Sequence, residues 1–132
     1  MISFFVSHEP APQGSKTATV VNGRAVMFEA SKKVKPYREA VKKQAIEAMR
    51  NREMITDPVE ITLHFLMPRP KSVNRIWHTV KPDIDKLVRA SLDPLTGVVF
   101  KDDAQVVAIS AAKDYSNGEI GCKFIINAIT KG

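Results

Sequence analysis

Apolar and polar residues alternate most regularly from Val59 to Met67, where Val59, Ile61, Leu63, Phe65 and Met67 are interleaved with Glu60, Thr62, His64 and Leu66. Side chains two apart share one face of a strand, so the segment predicts a half-buried strand, opened by Asp57-Pro58. Ile2 to Val6 predicts a short strand. The prolines and glycine between Glu9 and Lys16 predict an extended polar loop. Thr17 to Phe28 sets two β-rich arms around Asn22-Gly23, the pattern of a two-residue hairpin turn. Further strands are expected from Gln105 to Ala111 and from Ile120 to Ala128, with a turn at Ser116-Asn117-Gly118 between them.

Two segments change to helical spacing. Pro36 suits a first helical turn, and Tyr37, Ala40, Val41, Gln44, Ala45, Ala48 and Met49 follow on one side, with Arg38, Lys42, Lys43, Glu47 and Arg50 on the other. Ile84, Leu87, Val88, Ser91, Leu92 and Leu95 form the second stripe, which Pro94 should end or kink. Thr96-Gly97 then turns the chain. The fold class read from these elements is α+β: one domain over residues 1–132, a largely antiparallel mixed sheet with two main helices packed on it.

The chain has 132 residues and a formal net charge of +6, enough for one core and basic enough to imply an anionic partner. Nucleic acid is the first candidate. No run approaches the roughly 18 apolar residues of a membrane span, and Met1 to Val6 lacks the basic start of a signal peptide. Cys122, the one cysteine, excludes an internal disulfide and a cysteine-cluster zinc site, and reads as a small buried hydrophobe in the last strand. A reducing interior is the expected compartment.

The candidate chemistry is acidic. Asp83 and Asp85 flank Ile84, and Asp102-Asp103 follows the second helix. On an extended backbone Asp83 and Asp85 would share a face roughly 6.6 Å apart, a spacing suited to carboxylates bridged by a hard cation. A helix, a turn and a return strand could bring Asp103 beside them. Each acid also has an ordinary reading: Asp83 as a helix cap, Asp85 as a first-turn acid, and Asp102 and Asp103 as turn residues. An EF-hand is excluded, since the segment after Asp85 lacks the third ligand and the glycine. A carboxylate cluster in a basic protein suggests a divalent metal acting on a polyanion.

Pro82-Asp83-Ile84-Asp85, the basic helix after it, and Asp102-Asp103-Ala104-Gln105-Val106-Val107 together resemble the signature segments of the RusA family of Holliday junction resolvases, small dimeric endonucleases common in phages and prophages. The likeness continues more loosely through Pro10 to Lys16 and the helix after Pro36. It implies a metal-dependent endodeoxyribonuclease that resolves four-way junctions and related branched DNA by paired strand cleavage in recombination and repair. It implies Mg²⁺ as cofactor, with Mn²⁺ as a substitute, held by Asp83, Asp85 and Asp103, and Asp102 as support or reserve. Arg89 stands where the family has an important lysine, and Lys86 lies one turn away on the same face; either could contact the scissile phosphate. Gln13, Gly14, Ser15 and Lys16 correspond to the family's DNA-contacting loop. The implied partners are branched DNA and a second copy of the chain, with no membrane, and the implied compartment is the cytoplasm of a bacterium or phage-infected host.

Arg69, Lys71, Arg75 and Lys81, in the loop from Pro68 to Lys81, are further candidate DNA contacts. Trp77 in that loop could stack on unpaired bases, but packing on the core or at a dimer interface is the more common fate of such a residue. His8, His64 and His78 show no ligand spacing and are expected at the surface. Ser7-His8-Glu9 is no triad, because neighbours in an extended chain face opposite ways. The competing function is a non-catalytic basic nucleic-acid-binding module whose acids are structural. A nucleotide-sugar transferase using Asp-x-Asp is disfavoured by the chain's length.

Overall fold

The alternation at Val59 to Met67 becomes the strand around which the sheet is laid. In a computed structural model the protein is described over residues 1–14, 16–29 and 32–130, with residues 16–21 and 24–29 described by backbone alone. In chain order the elements are β1 (Ile2–Val6), β2 (Lys16–Val21), β3 (Arg24–Glu29), α1 (Val34–Ala48), β4 (Val59–Met67), α2 (Ile84–Leu92), β5 (Val106–Tyr115) and β6 (Gly121–Ala128). The α+β reading holds. Both helices lie near their expected positions, and Pro94 converts the end of α2 into a 3-10 turn at Asp93–Leu95.

The main sheet has the order β1-β6-β4-β5, and β2 and β3 form a separate hairpin. In that hairpin Asn22 (φ 52°) and Gly23 (φ 77°) both adopt the left-handed conformation, as a twist-matched two-residue turn requires. β1 pairs antiparallel with β6 and β6 antiparallel with β4, but β4 and β5 run parallel. Parallel neighbours cannot be joined by a hairpin; they need a crossover, which here is the long segment containing α2. β5 also extends to Tyr115, beyond the Ala111 end expected from the sequence. Its later residues alternate Lys113 and Tyr115 inward, a polar-tipped pattern that conceals a strand.

Both helices cover the same face of the sheet. α1 buries Val34, Tyr37, Val41 and Ala45, while Ile61, Leu63 and Phe65 of β4 and Phe124 and Ile126 of β6 form the facing layer. The two helices are tied by one buried polar link. The Ser91 hydroxyl donates to the Leu87 carbonyl at 2.8 Å, which leaves Tyr37 as the donor to Ser91 Oγ at 2.7 Å. Burial raises the Tyr37 phenol well above its usual pKa, so the link stays neutral. Cys122 is buried, as expected, and burial pushes its thiol up to about 12. No described helix is long and apolar enough to cross a membrane.

The chain enters β6 at Gly121, where it passes very close to β1. A Cβ there would collide with the Val6 carbonyl oxygen and come within 2.6 Å of the Phe5 ring. Backbone cannot yield as a side chain does, so Gly121→Ala should destabilise the protein by about 1–3 kcal/mol, the scale of overpacking a filled site. Urea unfolding monitored by circular dichroism should show the lower midpoint, with Gly118→Ala, which meets nothing within 4 Å, close to the parent.

Candidate metal centre and nucleic-acid interface

The approach to Asp83 is set by Lys113. Its position on β5 pairs with Phe65 of β4, so the side chain points to the helix side of the sheet. The ammonium donates to the Val80 carbonyl at 2.7 Å and the Pro82 carbonyl at 2.8 Å, across a cis Lys81–Pro82 peptide. Asp83 follows in extended conformation (φ −70°, ψ 141°) at the N-cap of α2, and its carbonyl accepts from Leu87 N at 3.2 Å. The side chain makes no capping hydrogen bond. The carboxylate is instead 54% exposed and faces Lys86 Nζ at 3.9 Å. Asp83 thus occupies the cap position while keeping its carboxylate off the helix amides.

Asp85 is exposed in the first turn of α2. The extended backbone that would align Asp83 and Asp85 on one strand face does not form, because Ile84, Leu87 and Val88 pack at helical spacing and start the helix at residue 84. Arg89 lies four residues after Asp85, on the same side of the helix. It is exposed and makes no hydrogen bond or ion pair among the described residues, since Asp93 pairs with Arg38 of α1 at 3.5 Å. Asp83, Asp85, Lys86 and Arg89 therefore form one mixed-charge surface at the start of α2.

The N-terminal loop borders this surface. Gln13 N donates to the Lys86 carbonyl at 3.1 Å. A groove of about 480 Å³ opens between the loop and the helix, walled by Pro10, Pro12 and Met67 and rimmed by Lys81, Asp83 and Lys86. Gly14 also lines it. Ser15 lies outside the described residues, as does the side chain of Lys16.

Asp102 and Asp103 divide their roles. Asp102 accepts from Ala104 N at 2.8 Å, and Gln105 Oε1 accepts from the backbone N–H groups of Lys101 and Asp102, both at 3.0 Å. This reciprocal cap satisfies the amides of the 3-10 turn Asp103–Gln105. Gln105 Nε2 then donates to the carbonyls of Ile55 (2.9 Å) and Asp57 (3.0 Å), pinning the turn beside the entry to β4. Asp102 thus caps the turn, while Asp103 stays exposed, with no such bond.

The two acidic segments sit at opposite ends of β5. Asp103 precedes its start, whereas Lys113, seven residues after Val106, holds the segment leading into Asp83. At about 3.3 Å per residue those strand positions are roughly 23 Å apart. Among the described residues no three His, Cys, Asp or Glu side chains gather closely enough to hold a metal. The donor types present, exposed carboxylates with neither thiolate nor imidazole beside them, do suit a hard divalent cation.

The loop between β4 and α2 is built on Tyr115. The Arg69 guanidinium lies 4.4 Å over its ring, Arg75 Nε donates to its hydroxyl at 2.8 Å, and the His78 ring packs 4.9 Å away. Arg69 also donates to the carbonyls of Val73 and Arg75. Arg69 and Arg75 thus shape the loop, while Lys71 and Lys81 are exposed. Two expectations are corrected. His78 is buried, 7% exposed, because the Tyr115 ring draws it in; burial, with Lys113 adding to it, lowers its pKa. Trp77 does not pack on the core of its own subunit: it is 69% exposed, with Tyr115 taking up Arg69, Arg75 and His78, so of the two packed placements expected for it the core one alone is overturned. His64 is half-buried on the outer face of the sheet, 2.6 Å from Asp114. Lys113 and Tyr115 are the residues the sequence reading missed as organisers; their signal is the inward alternation at the end of β5.

The profile of the RusA endodeoxyribonucleases matches residues 8–123, a span holding both acidic segments and both helices. An uncharacterised protein of Bacillus subtilis strain 168, YqaN, is 33% identical over 129 residues, covering 87% of this chain and 88% of that protein. With the exposed acids at the head of α2 and the capped turn that presents Asp103, the match leads to one conclusion: the chain belongs to the RusA endodeoxyribonuclease family.

Proposed function

We propose that the protein is a divalent-metal-dependent endonuclease that cuts four-way DNA junctions as a homodimer, with Asp83 and Asp85 of one subunit and Asp103 of the partner subunit forming each metal site. The observation that carries the proposal is the Asp83 carboxylate, held at a helix N-cap yet unbound to the helix amides. Mg²⁺ is the proposed ion, with Mn²⁺ as a substitute. A cation bound there would make an attacking water more acidic and offset charge on the leaving oxygen. The chain's own part is positioning: Lys113 fixes the carbonyls before Asp83, Asp102 and Gln105 fix the turn bearing Asp103, and Lys86 and Arg89 supply positive charge to the phosphate oxygens. Lys71 and Lys81, with the Gln13–Lys16 loop, would track the DNA backbone.

The dimer is supported by the exposed edge of the sheet. β5 is an edge strand in the order β1-β6-β4-β5, and Val107 and Ile109 near its start are 62% and 46% exposed. An apolar edge strand is a template for a second strand. Pairing two β5 strands antiparallel about a two-fold axis sets the start of each against the end of the other. The separation within one subunit then becomes proximity between two. Two sites related by a two-fold axis also match the near two-fold symmetry of a four-way junction. Cleavage in recombination and repair follows from that substrate.

Asp83→Asn, Asp85→Asn or Asp103→Asn should abolish cleavage of a labelled four-way junction in Mg²⁺ while junction binding persists or tightens, because each change removes repulsion from the phosphates. Asp102→Asn should do less harm. Cleavage at the parent rate by Asp85→Asn would end the metal-site assignment; a parent protein that binds junctions tightly without cutting would make it a binding module.

Mixing tests where Asp103 acts. Co-refolded Asp85→Asn and Asp103→Asn chains should regain nicking, since a mixed dimer then has one intact site. If each site were built within one chain, every site in the mixture would carry a lesion and no nicking would return.

Arg89→Ala should slow single-turnover cleavage on the order of 10²-fold, as loss of one well-placed donor can, and Arg89→Lys should retain most activity. Saturating protein removes any binding defect from the reading. Parent-rate cleavage by Arg89→Ala would pass the role to Lys86.

A further inference from the structure

We propose that Trp77 is a base-stacking wedge that recognises the unstacked bases at a branch point; this rests on the branched-DNA substrate proposed above. Ile76 is 79% exposed and Trp77 69% exposed, an adjacent apolar pair left outside the core. Exposed apolar residues on a mobile loop would mean little, but this loop is held from both sides. Arg69, Arg75 and His78 grip Tyr115, Thr79 N donates to the Trp77 carbonyl at 3.0 Å, and Lys113 clamps the Val80 and Pro82 carbonyls. The backbone that carries the indole is therefore held in place, with little loop ordering left to do on binding.

Charge selects the occupant. From Pro68 to Pro82 the chain holds Arg69, Lys71, Arg75 and Lys81 and no acid. An aromatic plane among cations suits a base flanked by phosphates, because every base offers a π-face and every linkage an anion. In paired duplex the bases are stacked and closed to the indole; where strands exchange, stacking is broken and a face is open. The loop runs directly into Asp83, and the ammonium that clamps it also sets the carbonyl before that acid. A base engaged by Trp77 would thus fix the branch point relative to the strand being cut. Trp77 would act as a specificity-determining and positioning residue.

The only tryptophan in the chain makes the test direct. The full-length protein, in EDTA so that no cutting intervenes, is titrated with a four-way junction and with a fully paired duplex of the same length while tryptophan emission is followed. The junction should quench the emission strongly and the duplex little. Trp77→Ala should weaken junction binding on the order of 10-fold, the scale of one lost stacking contact, and leave duplex binding unchanged, with Trp77→Phe restoring most of the difference. Equal quenching by both DNAs, or equal affinities of parent and Trp77→Ala for the junction, would overturn the wedge. So would a Trp77→Ala protein whose junction affinity is normal per dimer but whose dimer dissociates, as sedimentation would show; Trp77 would then be an interface residue. The nuclease reading fails separately: junction-specific quenching without cleavage in Mg²⁺ would leave the wedge standing and remove the enzyme.

Discussion

The parallel pairing of β4 with β5 is the constraint on which the rest of the arrangement depends. An antiparallel partner could have been reached by a tight turn at Met67, but a parallel one obliges the chain to travel the length of the sheet outside it before pairing. That return path carries the basic loop, α2 and the capped turn, all the candidate chemistry except the N-terminal loop. It also fixes their order in space. The loop and the head of α2 stand where β4 and β5 end, while the turn bearing Asp103 stands where they begin. The separation of Asp103 from Asp83 and Asp85 is thus a consequence of topology, and no side-chain rotation within one subunit would remove it.

The crossover is held by polar groups at both ends and by apolar packing in the middle. Lys113 binds two carbonyls ahead of α2, Gln105 binds two carbonyls ahead of β4, and Leu87, Leu95 and Phe100 are fully buried between them. Hydrogen bonds from a charged donor are stronger than neutral ones and fix direction as well as distance. This division lets acids be exposed on held backbone: the segments before Asp83 and around Asp103 are pinned by neighbours, and neither carboxylate caps a helix amide. Asp102 is the exception, and its capping bond to Ala104 shows what a structural acid in this segment looks like.

Much of this was legible in the residues. The period of two in β4, the Asn22-Gly23 turn, the stripe of α1 and the stop at Pro94 all report local preferences, and local preferences survived in the fold. Asp83 and Asp85 stand out by type and spacing, but the shared strand face expected of them gives way to a helix starting at Ile84. What the sequence hid was non-local. Parallel pairing leaves no mark on either strand taken alone. Lys113 and Tyr115 lie beyond the strand end expected at Ala111, because a lysine that holds the carbonyls of a distant loop has no local signature. The same reason hid the burial of His78, which is decided by a tyrosine reached only through the crossover.

The proposed function requires a metal site shared between two subunits. The most direct measurement is anomalous diffraction at the manganese edge from crystals of the full-length protein grown with Mn²⁺. The account predicts a peak bonded to Asp83 and Asp85 of one subunit and Asp103 of the partner subunit, with metal–oxygen distances of about 2.0–2.3 Å, as small hard cations require. A peak held by Asp83 and Asp85 with Asp103 of either subunit remote from it, or bound at another group of residues, would contradict it.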